Sequence, residues 1–254
     1  GIRSGMPLVR ARRLCRSAIF LRGSYGCYEA FSRRIFDVLR DYSPLVEPMS
    51  IDEAFVDLTG CLQLHGSLLD TAQEIRDKIC QQVGINASIG MASNKLVAKV
   101  ASATVKPSSM LWIVPGMERS FLSPLRVECI PGVGSKSALE LKCKGIHTVA
   151  QLSKVPLEWL EQAYGKRGAS LYFKARGVCE SPVVSGKKRS RSISREITLK
   201  KDSIDPRYLK SIFSYLVEKV LSQLREENLH ARSVTLKLRY SDFKTVTRCH
   251  TLRE

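Results

Sequence analysis

Two adjacent carboxylates, Asp52 and Glu53, lie inside an apolar, strand-like run of the sequence. A charge in such a run is costly to bury unless it is paired or bound to a metal, and two neighbouring charges also repel each other. One interpretation is a magnesium-binding pair that handles phosphates. The other is a solvated turn between two strands. The flanks, residues 46–49 and 54–58, carry no ordinary turn signal and favour the metal site.

The geometry of a strand limits how these two carboxylates could act together. Strict alternation would place Asp52 and Glu53 on opposite faces of a sheet. If both bind a metal ion, we expect a turn or bulge at residues 50–52 that brings them to one side.

A second group suited to anions follows Asn94, which the pattern predicts as the N-cap of a helix over residues 95–103. On that helix Lys95 and Lys99 are one turn apart, so both could face an anion, or both could form a solvated face. Lys106 follows the helix, where its long cationic side chain could reach a phosphate.

A glycine-rich segment, Pro131-Gly132-Val133-Gly134-Ser135-Lys136, lies between two helical patterns. Backbone N–H groups at the N-terminus of a helix suit a phosphate oxygen. A G-x-G segment alone is a weak signal and could be only a tight connection. An apolar helix predicted over residues 121–130, together with Ala138, Leu139 and Leu141 after the glycines, favours a helix-hairpin-helix.

The overall charge points to the class of partner. The chain has 254 residues, with 41 Lys and Arg against 24 Asp and Glu, which gives a formal net charge of +17. This excess favours a polyanionic partner, with nucleic acid as the first candidate. A membrane surface is the rival, but the sequence has no apolar run that could span a bilayer and no separate basic amphipathic helix. The eight scattered cysteines lack a C-x-x-C pair and favour reduced thiols in packing positions.

Hydrophobic periodicity predicts three regions. The first is an α+β arrangement around one sheet, and residues 117–180 form a small all-helical region with a capping box from Thr148 to Gln151. After a linker rich in Ser, Gly, Lys and Arg, the pattern predicts a β-α-β-β unit. In the first region we expect helices over residues 25–41, 68–83 and 95–103, and strands on both sides of the carboxylates and over 86–92 and 110–114. In the last region we expect strands over 192–199, 233–240 and 244–252.

In this order the motifs resemble the Y-family translesion DNA polymerases, most closely the DNA polymerase IV group and its archaeal and eukaryotic relatives. The resemblance runs along the whole chain. The similar segments are Gly1 to Pro7 and Ala11 to Cys15 in the fingers, Ser50 to Phe55 and Gly90 to Pro107 in the palm, Ile130 to Gly134 in the thumb, and Lys188 to Leu199 at the start of the little finger.

The resemblance implies a right-hand polymerase of the α+β class. Its parts would be a partial fingers domain over residues 1–22, a partial catalytic palm with a mixed sheet over 23–116, and a small helical thumb with the helix-hairpin-helix over 117–184. A linker over 185–191 would lead to an incomplete little finger over 192–254, in which the β-α-β-β unit is partial.

The resemblance also implies roles for particular residues. Asp52 and Glu53 would hold two Mg²⁺ ions, Lys106 would contact the incoming deoxynucleoside triphosphate, and Gly5 would lie against the nascent base pair. DNA contacts are expected at Gly132, Gly134, Ser135, Lys136, Lys187, Lys188, Arg189, Arg191 and Arg195. The motif that supplies the family's third metal-binding aspartate and its aromatic gate against ribonucleotides has no counterpart, so we expect the third ligand outside this chain.

The implied function is template-directed DNA synthesis across damaged DNA, an error-prone form of DNA repair, by two-metal nucleotidyl transfer. The implied partners are primer-template DNA, a deoxynucleoside triphosphate and a sliding clamp bound through a region not present here, with no membrane and a monomeric state. The expected location is the cytoplasm at the bacterial nucleoid, or the nucleus in a eukaryotic source. We expect this 254-residue piece alone to be inactive.

Two alternatives remain open. One is a non-catalytic or truncated DNA-binding relative of these polymerases, which would retain the shape without the chemistry. The other is a palm-like nucleotide cyclase, which would lack both the helix-hairpin-helix and the little finger.

Overall fold

The computed structural model of the protein describes residues 1–186 and 191–252. The chain divides into two units, residues 1–187 and 188–254. In the first unit, helices and short strands alternate around the two carboxylates: α1 (Leu8–Leu14), α2 (Tyr25–Arg40), β1 (Val46–Pro48), β2 (Ala54–Val56), α3 (Leu62–His65), α4 (Leu68–Val83), β3 (Ile89–Met91), α5 (Lys95–Thr104) and β4 (Met110–Trp112).

Helices α2 and α4 form the layer that supports strands β1 and β2. The helices were predicted from apolar residues at helical spacing, and both are confirmed. The Ser67 hydroxyl caps α4 by accepting from the Asp70 N–H, and Gly84 ends the helix in the left-handed conformation. One hydrophobic core joins this layer to the strands, with Phe36, Val38, Leu39, Tyr42, Val46, Ile75 and Ile79 buried in it.

The single sheet expected in this region is formed as two two-stranded sheets. Strand β1 pairs antiparallel with β2, so that Glu47 lies opposite Phe55. Strand β3 pairs with β4 in parallel. Within the described ranges no strand lies between the two pairs, and they meet through side chains because Ala87 and Ile89 pack against the first core. The α+β class and the mixture of parallel and antiparallel pairing are as predicted.

Helix α5 packs against β3 with almost no side chain between the two backbones. A Cβ atom at Gly90 would overlap the Ala98 carbonyl oxygen and the Ser102 amide nitrogen, and would lie 3.0 Å from the Ala101 Cβ. Only glycine therefore allows this close approach. The apolar residues of α5, Leu96, Val97, Val100 and Ala101, are buried in a second core.

The rest of the second core belongs to the helical part of the first unit. Its elements are α6 (Glu118–Leu122), a 3₁₀ helix (Val127–Cys129), α7 (Ser135–Cys143), α8 (Val149–Leu152), α9 (Leu157–Tyr164) and α10 (Lys166–Ala175). The capping box from Thr148 to Gln151 is confirmed. The continuous helix predicted over residues 121–130 is wrong: Pro124 lacks the N–H of a helical hydrogen bond, and the segment forms α6 and the 3₁₀ helix instead.

The second unit contains α11 (Pro206–Glu226) and a hairpin of β5 (Ser233–Arg239) and β6 (Thr245–Thr251). The helix and both hairpin strands are confirmed. The strand predicted over residues 192–199 is not formed, since this segment makes no ladder with a described strand; the Lys237 side chain contacts it through an ion pair with Glu196 at 2.6 Å. Among the described residues, none of the helices combines the length and apolar character needed to cross a bilayer.

We predict that Gly90→Ala destabilises the first unit, because the added methyl group would push α5 away from β3. Overpacking of this kind costs about 1–3 kcal/mol, and urea unfolding followed by circular dichroism would measure the loss. Gly26→Ala in α2 is the matched control, since a Cβ atom there meets nothing within 4 Å. Equal stability of the two variants would contradict the close packing of α5.

Candidate functional site

The two carboxylates lie in the loop that connects β1 to β2. The N–H groups of Met49 and Ser50 both donate to the Glu53 carbonyl oxygen, at 2.8 and 3.2 Å. The chain bends at residues 50–52 before β2 begins at Ala54. This confirms the expected turn, and strict strand alternation does not apply to Asp52 and Glu53.

The turn also changes the burial expected for these residues. Asp52 is exposed and accepts a hydrogen bond from the Ser50 hydroxyl, and the Glu53 side chain is 40% exposed. The inference that the Asp52 and Glu53 carboxylates are buried in an apolar strand is therefore wrong, because both residues belong to the loop between the two strands. Both carboxylates are accessible to a ligand from solvent.

The donor set suits a hard cation. Carboxylate oxygens are the ligands that Mg²⁺ prefers, usually one or two per ion together with water and substrate phosphates. No group of three or more His, Cys, Asp or Glu residues in the described parts of the chain is arranged to hold a metal ion. Asp52 and Glu53 thus fit the role of two protein ligands in a site that needs further oxygen donors.

The two lysines of α5 lie on the side of the helix that faces the carboxylate hairpin, which consists of β1, β2 and the turn that carries Asp52 and Glu53. Lys99 forms an ion pair with Glu53, and both side chains are partly exposed. One turn earlier, Lys95 forms an ion pair with Glu47 at 2.5 Å, and the two side chains are 14% and 5% exposed. Of the two possibilities left open by the sequence, a solvated face is excluded for Lys95, and the anions that both lysines face in this structure are the protein's own carboxylates.

Glu47 is a residue of this region that the sequence reasoning missed. It lies on β1 opposite Phe55, and the Lys95 ammonium is 5.0 Å from the centre of the Phe55 ring. The available signal was a single acidic residue between Val46 and Pro48 in an apolar strand run. A charge at such a position requires a buried partner.

Lys106 and Gly5 do not contact the carboxylate pair. Lys106 is exposed just after α5, at the start of the turn that leads to β4. Gly5 is exposed with a φ of +75°, and a Cβ atom there would meet nothing within 4 Å. The backbone conformation, and not lack of space, therefore favours glycine at this position.

The glycine-rich segment forms a tight turn before α7. Gly132 has a φ of +99°, and the Val133 N–H donates to the Ile130 carbonyl at 3.0 Å. The Lys174 ammonium donates to the Pro131 carbonyl at 2.8 Å and braces the turn. Gly134 is the N-cap of α7 and supplies no side-chain acceptor, so the first N–H groups of the helix, beside exposed Ser135 and Lys136, are available to an anion.

The basic residues predicted to bind DNA after the helical part are described only in part. Lys187, Lys188 and Arg189 lie outside the described residues. Arg191 is exposed. The Arg195 guanidinium donates to the Gln223 side chain on α11 at 2.7 Å and to the Ser194 carbonyl at 3.0 Å, so part of it is already engaged.

A carboxylate connects the start of the helical part to the loop before α5. Glu118 accepts from the Ser93 hydroxyl at 2.5 Å and from the Gly116 N–H at 2.8 Å. These hydrogen bonds, that of Ser93 first, stabilise the ionised form and hold the pKa of Glu118 below its usual value. The contact positions α6 beside Asn94, the N-cap of α5.

Family models match three stretches of the chain. The impB/mucB/samB family model matches residues 1–103, and the model of that family's C-terminal domain matches residues 190–254. A model described as the DNA polymerase-iota thumb domain matches residues 128–178.

Curated proteins similar to this chain are named DNA polymerase IV. A DNA polymerase IV of Dehalococcoides mccartyi is 40% identical over 248 residues, which cover 98% of this chain and 63% of that protein. A DNA polymerase IV of Alkalilimnicola ehrlichii is 39% identical, with 98% of this chain and 70% of that protein covered. The chain thus spans less than two thirds of the length of the Dehalococcoides protein.

Two solved structures have a similar fold. A Y-family DNA polymerase chimera matches with a TM-score of 0.88 and 26% identity, over 100% of this chain and 73% of that chain. The insertion ternary complex of Dbh DNA polymerase matches with a TM-score of 0.70 and 25% identity, over the same shares of both chains.

We predict that Glu118→Gln lowers the stability of the first unit mainly at neutral pH. Because the pKa of Glu118 is lowered on folding, its carboxylate contributes stability above the unfolded pKa, and this contribution is lost as the pH falls through the folded pKa. Urea unfolding should therefore show a difference from the wild type that is largest above about pH 5 and shrinks below about pH 4.

Ser93→Ala provides the control for the cause of this shift. It removes the hydrogen bond that lowers the pKa most, so a carbon-13 titration of Glu118 should show a higher pKa than in the wild type. A wild-type titration curve in Ser93→Ala would contradict the assigned cause.

Proposed function

This chain belongs to the DNA polymerase IV group of the Y-family DNA polymerases, and we propose that the protein carries out template-directed DNA synthesis across damaged DNA. The observation that carries this proposal is the exposed pair Asp52 and Glu53 on the turn between β1 and β2, beside Lys99 of α5.

The two carboxylates would hold Mg²⁺ ions together with a ligand from outside this chain. When bound there, the ions would supply Lewis acidity toward an attacking hydroxyl group and a leaving pyrophosphate. The protein itself supplies positioning and charge, since phosphoryl transfer requires little covalent chemistry from side chains. Lys99 holds the Glu53 carboxylate on the α5 side of the turn and balances its charge.

Two further residues would shape the nucleotide site. Lys106 is exposed after α5 and free of an ion pair among the described residues, so its ammonium is available to the triphosphate of an incoming deoxynucleotide. Gly5 has a positive φ and no side chain. The absence of a side chain would leave room for a distorted template base. Both roles rest on the family resemblance and on this exposure.

The helical part and the linker would bind the DNA backbone. The free N–H groups at the start of α7, at Gly134, Ser135 and Lys136, suit a phosphate oxygen, and Gly132 permits the turn that presents them. Lys187, Lys188, Arg189, Arg191 and Arg195 would add charge. Such contacts follow the phosphates without reading the base sequence.

The remaining partners are proposals of the same kind. Primer-template DNA and a deoxynucleoside triphosphate would be the substrates, a sliding clamp would bind through another region of the protein, and the protein would act as a monomer at the nucleoid. A palm-like nucleotide cyclase is disfavoured, because the chain contains both the glycine-rich turn that leads into α7 and a second unit with α11 and the β5–β6 hairpin.

We predict that Asp52→Asn in the full-length protein lowers primer extension by at least about 10²-fold, the scale expected when one transition-state stabiliser is lost. Single-nucleotide incorporation with magnesium would measure it. Asp57→Asn is the matched control, since Asp57 accepts from the Thr59 N–H and an asparagine oxygen can do the same. Near-normal primer extension by Asp52→Asn would contradict the assignment of Asp52 as a metal ligand.

We also predict that binding of primer-template DNA weakens steeply with salt, with a log–log slope of about 0.9 for each phosphate contact. Fluorescence anisotropy of a labelled duplex would measure the slope, and Lys136→Gln should make it shallower by about 0.9. Lys154→Gln, at an exposed position after α8, is the control and should keep the wild-type slope. A flat response to salt would count against backbone binding.

A further inference from the structure

The chain that leaves α10, here called the exit segment (residues 177–184), is held by polar contacts to the elements of the candidate site. The Asn94 amide donates to the Gly177 carbonyl at 2.9 Å. The Lys95 ammonium donates to the Pro182 carbonyl at 3.0 Å. The Val184 N–H donates to a Glu47 carboxylate oxygen at 2.9 Å. All three contacts come from the start of α5 or from β1, so the exit segment follows the surface that carries the carboxylate hairpin.

The ion pair at the centre of these contacts is nearly buried. The Glu47 and Lys95 side chains are 5% and 14% exposed and lie 2.5 Å apart. One Glu47 oxygen accepts from both Lys95 and Val184, and the Lys95 ammonium donates to both Glu47 and Pro182. The exit segment therefore satisfies hydrogen-bonding capacity on both members of the pair, which is what a buried ion pair requires to be tolerated.

The same helix carries the second ion pair of the site. Lys99 lies one turn after Lys95 and contacts Glu53. A displacement of the exit segment would leave the Glu47–Lys95 pair without two of its hydrogen bonds, while the Lys99–Glu53 pair has no contact with that segment in the described residues. The buried Glu47–Lys95 pair therefore contacts the exit segment, whereas the exposed Lys99–Glu53 pair contacts only the turn that carries Asp52 and Glu53.

We infer that Glu47 and Lys95 are positioning residues that fix the exit segment against the start of α5, and with it the point from which the basic linker (residues 185–191) begins. This inference rests on the proposed function, because the effect that it predicts is a change in the affinity for DNA. A segment that is already ordered in the free protein costs less conformational entropy when the linker binds DNA. Loss of the contacts should weaken DNA binding and leave the chemical step unchanged.

A paired substitution tests the inference without leaving a buried charge alone. Glu47→Leu with Lys95→Met replaces both partners by apolar side chains of similar size, a change that is often neutral for stability. It removes the acceptor of the Val184 N–H and the donor to the Pro182 carbonyl. Glu47→Gln with Lys95→Met is the rescue variant, since the glutamine oxygen can still accept from Val184. Glu74→Gln with Lys78→Met, at an ion pair on the surface of α4, is the matched control.

Hydrogen exchange of the Val184 amide is the first measurement, and it does not depend on polymerase activity. We expect exchange at least about tenfold faster in the Leu/Met variant, and near-wild-type exchange in the rescue and control variants. Unchanged exchange in the Leu/Met variant would overturn the inference.

The second measurement separates binding from chemistry. In the full-length protein we expect the Kd for a labelled primer-template duplex to rise about 5- to 20-fold in the Leu/Met variant, a typical size for coupling between two regions. The rate of nucleotide incorporation at saturating DNA should stay within about twofold. Faster Val184 exchange with an unchanged Kd would also overturn the inference. If the wild-type protein bound DNA but failed to extend a primer, the proposed function would be refuted. The comparisons of Val184 exchange and of the Kd for DNA would still test the inference.

Discussion

The direct packing of α5 on β3 at Gly90 is the constraint on which the candidate site depends. Because no side chain separates the two backbones, the position of α5 along and around its axis is set by main-chain contact. The apolar face of the helix then enters the core of the helical part through residues such as Val97 and Val100. Lys95 and Lys99 are left on the side that faces the β1–β2 hairpin, where both find carboxylates.

The two ion pairs on this helix differ in what they can do. The Glu47–Lys95 pair is nearly buried and has further hydrogen bonds, so loss of one partner would leave a costly unpaired charge. The Lys99–Glu53 pair is more than a third exposed on the glutamate side, and exposed pairs contribute only about 0–1 kcal/mol. Separating Glu53 from Lys99 therefore costs little, while Glu47 remains a fixed part of the framework.

Local signals predicted the helices well. Helices α2, α4 and α5 follow from apolar spacing, and the predicted N-cap at Asn94 is confirmed; the structure adds caps of α4 at Ser67 and Gly84. One failure occurs where a distant contact decides, and another where a local signal was overlooked. The segment over 192–199 alternates like a strand, but its described contact with β5 is the Glu196–Lys237 ion pair and not a hydrogen-bonded ladder, which a strand requires. The helix expected over 121–130 ended early because one proline outweighs the apolar pattern.

The sequence alone determined the family, the order of the motifs and the turn at residues 50–52, through residue types at short spacing. The roles of Asp52, Glu53 and Lys106 follow from the family resemblance and stay predictions. The tertiary structure decided the exposure of the two carboxylates and the identity of the anions that face Lys95 and Lys99. It also brought Glu47 to Lys95 and Val184, residues separated by 48 and 137 positions. Such pairings depend on how helices and strands pack, and no local pattern in the chain encodes them.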